Sequence, residues 1–530
     1  MESQGDRILI YDCTLRDGSQ GEEISLSVAD KLRIAERLDD FGIAYIEGGW
    51  PGSNPKDAEF FARAKEMTWK NSRLAAFGST RLWRNPVDRD PNLQSLLATG
   101  TPTVTVFGKS WDFHVLHALN IELEQNLQLI TESVRYLKDA GREVIFDAEH
   151  FFDGYGANPT YALQVLEAAV EGGADWIVLC DTNGGSLPGY VGRVTSEIAR
   201  RFSRVGIHTH NDADLAVANS LAAVEAGARM VQGCINGYGE RIGNANLTSV
   251  IPNLELKMKL TAVGRGKLQE LSSVAYFVAE AANLAVPNNQ PYVGKSAFAH
   301  KGGVHVSAIL KDARTYEHIE PEAVGNRRRV LVSDLSGKGN LLYKIREFGD
   351  IDLERLDVRA LVQHIKQLEY EGYQFEGAEA SLKLLAHQHL GGATQPFQIK
   401  GFRVIVDQVG GNGMISEATV KVSVGDLSEH TAAEGNGPVN ALDRATKKAL
   451  GRFFPELTKV HLIDYKVRVL DARQGTAAKV RVLIESTDGE ESWTTVGVST
   501  NVIEASWYAI TDSLLYKLLF RPFAPSIQSV

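Results

Sequence analysis

Eight short apolar runs lie between Ile8 and Asn236, with helical periodicity between them. The runs are Ile8 to Leu15, AYIEGGW from Ala44, RLAAFGS from Arg73 and TVTVFG from Thr103. EVIFDAEHF from Glu143, WIVLCDT from Trp176, GIHTHND from Gly206 and MVQGCIN from Met230 complete the set. The intervening stretches are amphipathic: in SVADKLRIAERLDDFG, Leu32, Ala35, Leu38 and Phe41 share one stripe. Helical patterns follow at Asp57 to Met67, around Leu119 to Ala140 and at Pro159 to Gly172. Gly42, Gly141, Gly172 and Gly227 read as helix stops. Eight strands alternating with helices over about 250 residues predict a (β/α)8 TIM barrel. The alternative, an open doubly wound sheet, lacks its glycine fingerprint after the first strand.

A barrel gives meaning to the polar residues at the ends of the runs, because active sites of this fold form at the carboxyl ends of the strands. Arg16 and Asp17 follow strand one, Glu47 lies in strand two and Glu149 ends strand five. Asp181 and Thr182 follow strand six, His208 and His210 mark strand seven, and Asn236 ends strand eight. Side chains two apart on a strand face the same way, so His208 and His210 offer two imidazoles to one point. Imidazoles, a carboxylate and open positions suit a divalent metal, and zinc, manganese, cobalt and magnesium all fit this donor set. Polar packing is the plainer reading of any one of these residues; their joint placement favours the metal site.

The second half changes texture. Pro287, Asn288, Asn289 and Pro291 break the helical pattern, and the barrel is expected to end at 286. Residues 287–395 carry His305, the Arg327–Arg329 run and a helical stretch from Asp357 to His389. From 396 to 525 alternating strands and a helix occur twice; setting Thr431 against Thr495 aligns Ala441 with Ala505 and Ala445 with Ala509. This is an internal duplication of an α+β unit, with the GGNG at Gly410–Gly413 joining its first two strands. A net charge of −10 argues against nucleic acid and anionic membranes as partners, and no apolar run is long enough to span a bilayer. Three cysteines form no disulfide framework or zinc motif, so a cytoplasmic protein is expected.

DCTLRDGSQ at strand one, HTHND at strand seven and NGYGERIGNANL after strand eight together resemble the acyl-CoA aldol family. That family holds isopropylmalate, homocitrate and citramalate synthases and the 3-hydroxy-3-methylglutaryl-CoA lyases. GGVHVSAILKDARTYEHI and GNRRRVLVSDLSGKGN resemble the segment that follows the barrel in its synthases. IEGGWPGSNPKD resembles the branch that condenses acetyl-CoA with pyruvate to citramalate. The resemblance implies Asp17, His208 and His210 as metal ligands, with Asn244 as a fourth candidate whose alternative role is loop formation. It implies Arg16 and Thr182 as keto-acid binders, with Arg16 also at the developing alkoxide. Glu149, His305 and Tyr316 are the remaining catalytic candidates. It further implies acetyl-CoA as co-substrate, a homodimer, and a regulatory C-terminal domain sensing isoleucine. Two departures stand out: Ser307 occupies a position that is acidic in many synthases, and the cysteine loop of the lyases is missing. Two alternatives remain: 2-isopropylmalate synthesis from 2-oxoisovalerate, and a non-catalytic amino-acid-binding regulatory protein.

Overall fold

The computed structural model describes every residue except 1–6, 265, 333–337, 350, 353–354, 391–394, 409–413, 471–476 and 521–530. The turn read at Gly410–Gly413 and the Gly391–Thr394 edge of the middle segment lie outside the described residues. Two compact units are present, 1–298 with 318–328, and 299–317 with 329–530. The middle segment of the sequence reading is therefore shared between them.

The first unit is the expected closed barrel. Its strands are β1 (Leu9–Asp12), β2 (Tyr45–Gly49), β3 (Arg73–Ser79), β4 (Thr103–Lys109), β5 (Glu143–Glu149), β6 (Trp176–Asp181), β7 (Val205–Thr209) and β8 (Met230–Gly233). All neighbours pair parallel in chain order, and β8 closes on β1 with Leu9 opposite Met230. Alternation along each strand splits the core in two. Val144, Phe146, Ile177 and Leu179 pack toward the helices, while Ile145, Val178 and Cys180 belong to a separate cluster with Tyr11 and Met230.

Local chemistry fixes the helix ends. Helix α1 (Val28–Phe41) starts at a Ser27–Asp30 capping box and stops at Gly42, whose φ of 98° suits glycine. Helix α2 (Pro55–Ala64) begins at Asn54 and helix α3 (Pro91–Ala98) at Asp90, each capping backbone N–H groups, with proline in the first turn. Gly172 is not the stop expected of it: it closes the last helical turn, and Gly173 at φ 98° is the cap. The helix expected from Leu119 starts at Leu123, after a short wider turn over Val115–Leu119.

The second unit pairs β9 (Ala299–His300) with β10 (Arg329–Val330) and carries two three-stranded antiparallel sheets. These are β11 (Gln398–Gln408), β12 (Met414–Val424) and β13 (Leu427–Gly435), then β14 (His461–Val469), β15 (Val480–Thr487) and β16 (Ser492–Ser499). The helices Pro438–Leu450 and Val502–Phe520 follow them, so the duplication holds. Its aligned alanines, Ala441, Ala445, Ala505 and Ala509, are all fully buried. Among the described residues no helix is long and apolar enough to cross a membrane.

Candidate active site and metal centre

Asp17, His208 and His210 converge at the carboxyl end of the barrel, with one ligand atom from each lying within 4.8 Å of the others. Asp17 sits in the turn after β1, and all three are buried. His208 is the fourth residue of β7. His210 lies just past the strand end, where its N–H donates to the Asp181 carbonyl at 3.2 Å. The two Nε2 atoms are 3.3 Å apart and the His210 Nε2 lies 4.0 Å from Asp17 Oδ2.

Hydrogen bonds set the protonation of this cluster. Gln232 on β8 donates from Nε2 to Asp147 Oδ1 at 2.9 Å, which turns its Oε1 toward His208 Nδ1, also at 2.9 Å. The proton of His208 therefore sits on Nδ1, and the Nε2 lone pair faces the cluster. Burial and the neighbouring His210 push the His208 imidazole down to about 4, so it is neutral near pH 7. Burial opposes ionisation of Asp17, but Arg16 and the two histidines hold its carboxyl well below the usual range.

Asn244 supplies the test of whether these residues fit a metal. Its Nδ2 donates to Asp17 Oδ1 at 2.9 Å and to the Tyr238 carbonyl at 3.1 Å, while its buried Oδ1 accepts nothing from protein. A buried carbonyl oxygen with no protein donor calls for another partner, and beside two imidazoles and a carboxylate a cation meets that need. The strand bridge between His210 and Asn244 brings that oxygen's residue beside the histidines. Two imidazoles, one carboxylate and one amide oxygen form a donor set suited to a divalent ion.

Arg16 is the cation of the site. Its Nε donates to Glu47 Oε1 at 2.5 Å and its Nη1 to Asp17 Oδ2 at 3.1 Å, and its guanidinium carbon stands 3.7 Å over the Phe77 ring. Glu47, fully buried, also accepts from the Tyr11 hydroxyl at 2.6 Å. These contacts lead to a cavity of about 200 Å³ lined by Arg16, Asp17, Glu149, Thr182, His208 and His210. Trp50, Phe77 and Phe107 form an aromatic wall on it, and Asp147 also lines it. Burial and the neighbouring Glu47 push the Asp147 carboxyl up to about 8.

Glu149 ends β5 and is ion-paired with Lys109. Thr182 accepts the His150 N–H at 2.8 Å, leaving its own hydroxyl hydrogen free to donate. The loop quoted as NGYGERIGNANL adds a clamp: Arg241 grips Asp212 with two bonds of 2.8 Å and the Thr182 carbonyl with another. His305 and Tyr316 belong to the second unit, where their rings stack at 4.1 Å between centroids. Asp181 is turned to loop-building, accepting from Ser186 Oγ at 2.9 Å, and Asn236 donates to the Ala275 carbonyl. Cys13, Cys180 and Cys234 are buried, which raises their thiols well above the normal value and leaves no thiolate nucleophile.

Fold and site together define a TIM barrel with a candidate metal centre at its carboxyl ends. The HMGL-like family model matches residues 7–278, a homocitrate synthase post-HMGL domain-like model residues 292–372, and a LeuA allosteric (dimerisation) domain model residues 376–518. The chain belongs to the HMGL-like family. It is 58% identical to a curated (R)-citramalate synthase of Aquifex aeolicus over 97% of this chain and 98% of the relative. A curated (R)-citramalate synthase of Geobacter sulfurreducens is 55% identical over 96% of this chain and 97% of its own. The 2-isopropylmalate synthase of Methanocaldococcus jannaschii is more distant, at 31% identity over 96% and 94%.

Proposed function

We propose that the protein is a divalent-metal-dependent acyltransferase that joins acetyl-CoA to pyruvate and hydrolyses the thioester, giving (R)-citramalate and CoA. The observation that carries this reading is the convergence of Asp17, His208, His210 and Arg16 on one small, aromatic-walled cavity. The near-full-length likeness to (R)-citramalate synthases supports the choice of keto acid over 2-oxoisovalerate.

In this reading Asp17, His208, His210 and the Asn244 Oδ1 hold the ion, which supplies Lewis acidity at the keto group when bound. Arg16 keeps its charge at every working pH, and Glu47 and Asp17 fix its fork where the keto oxygen gains negative charge. Thr182 donates its free hydroxyl hydrogen to the keto-acid carboxylate. A base removes a methyl proton of the acetyl thioester; the carbon so freed bonds to the keto carbon, whose oxygen takes a proton to become the hydroxyl. His305 is the base implied by resemblance, with Tyr316 stacked on it, and Glu149, which lines the cavity, is the further catalytic candidate. Water then cleaves the thioester and the CoA thiol leaves, which drives the sequence forward.

The test is thiol release from acetyl-CoA with pyruvate, 2-oxoisovalerate and 2-oxoglutarate in parallel. A strong preference for pyruvate is expected; preference for 2-oxoisovalerate refutes the substrate assignment. The C-terminal unit is proposed to join two chains into a homodimer and to bind isoleucine as feedback inhibitor, supported by the LeuA domain match. Isoleucine is expected to slow thiol release by the whole protein, and indifference to it refutes that assignment.

A further inference from the structure

Polar contacts tie down the aromatic wall of the cavity. Trp50 meets Phe77 and Phe107 edge-on, with centroids 5.9 and 5.7 Å apart and both interplanar angles 82°. Phe77 and Phe107 stack on each other at 5.4 Å. The three rings are thus one block, and the indole is its only member outside a barrel strand.

Both ends of Trp50 are fixed. Its indole Nε1 donates to Asn92 Oδ1 at 2.8 Å, and Asn92 on α3 is itself fixed because its Nδ2 donates to the Ser79 carbonyl at 2.6 Å. Its backbone N–H donates to Asp57 Oδ2 at 2.9 Å. The other oxygen of Asp57 accepts from Lys31 Nζ at 2.5 Å, and the same ammonium donates to the Gly48 carbonyl at 3.2 Å. Lys31 and Asp57 are 3% and 5% exposed. A buried ion pair adds little net stability, since desolvation offsets its attraction. Its position, gripping the backbone on both sides of Gly49, suits a positioning role. The backbone there has no slack: a Cβ on Gly49 would lie 2.3 Å from Asp57 Cγ and one on Gly48 2.3 Å from the Phe60 ring.

We propose that Trp50, locked by Asn92 at its indole and by the Lys31–Asp57 pair at its backbone, sets the upper size limit for the keto-acid side chain. A methyl group fits against the rigid block; each added methylene must displace an indole anchored at both ends. A wall of the same composition without these anchors would yield to a longer side chain. This inference rests on the reading of the cavity as a keto-acid pocket. Trp50 is then a specificity residue, and Asn92, Asp57 and Lys31 are positioning residues that act through it.

The experiment compares wild type with Trp50→Phe, Trp50→Ala and Asn92→Ala. The readout is the ratio of kcat/KM for 2-oxobutanoate to that for pyruvate on the same preparation. That ratio does not depend on the fraction of protein folded, so a merely structural effect leaves it unmoved. Single-methylene discrimination in apolar pockets spans roughly 10–200-fold. The ratio is expected to rise about tenfold or more in Trp50→Ala, with smaller rises in Trp50→Phe and Asn92→Ala. Turnover of pyruvate by the wild type with an unmoved ratio in all three variants overturns the inference alone. Failure of the wild type to turn over pyruvate overturns the substrate reading and this inference with it.

Discussion

Gln232 is the residue through which the barrel wall reaches the metal candidates. It is fully buried and spends both ends of its amide on His208 and Asp147, two residues that line the cavity. Replacing it by Leu removes the acceptor for His208 Nδ1–H and the donor to Asp147 in one step. A buried N–H left unpaired costs about 1–3 kcal/mol. The imidazole escapes that cost by moving its proton to Nε2, which removes the lone pair that faces Asp17 and His210. Loss of such an outer hydrogen-bond partner lowers metal affinity by about 10–100-fold, or about 1.4–2.7 kcal/mol at 1.36 per decade. The assay is titration of metal-stripped protein against a chromogenic chelator. Gln232→Leu is expected to weaken binding within that range, and Gln232→Glu, which keeps an acceptor for Nδ1–H, to bind close to wild type. Wild-type affinity in Gln232→Leu would refute the argument that this amide sets the tautomer.

Asp147 should make the stripped barrel less stable as pH rises. Its folded-state value near 8 exceeds the ordinary carboxyl value, so the folded state holds an extra proton between about pH 4 and 8. Stability from this group is complete below pH 4 and is lost by up to about 1.4 kcal/mol per pH unit through that window. Asp147→Asn should flatten the slope measured by denaturant unfolding; an unchanged slope contradicts the assignment. Gly49→Ala should destabilise the barrel, since φ is +149° and the added Cβ meets Asp57. Strain of about 1–3 kcal/mol and overpacking of about 1–3 kcal/mol set the scale, and an unchanged urea midpoint contradicts it.

Much of the barrel was legible because parallel strands covered on both faces are apolar runs, and eight of them leave few topologies. The same-face argument anticipated the meeting of His208 and His210, although His210 stands beyond the strand end and is placed by its bridge to Asn244. The partners of the site were less legible. Gln232 and Asp147 are 85 residues apart, and nothing local to either marks their bond. Trp50, Phe77 and Phe107 carry no local signal of a cavity wall, because only closure of the barrel turns their faces to one cavity. Lys31 did carry a signal: it lies four residues before Ala35, on the edge of the apolar stripe of α1, where a lysine is buried only with a partner such as Asp57. His305 and Tyr316 were named as a pair by resemblance alone, and their rings stack in the second unit.

The most direct measurement is the initial rate of CoA release from acetyl-CoA with pyruvate as the only keto acid, on chelator-stripped protein before and after adding a divalent ion. No release is expected from the stripped protein, restored release on adding metal, and (R)-citramalate formed in equal amount. Equal release with and without metal, or none in either state, contradicts it.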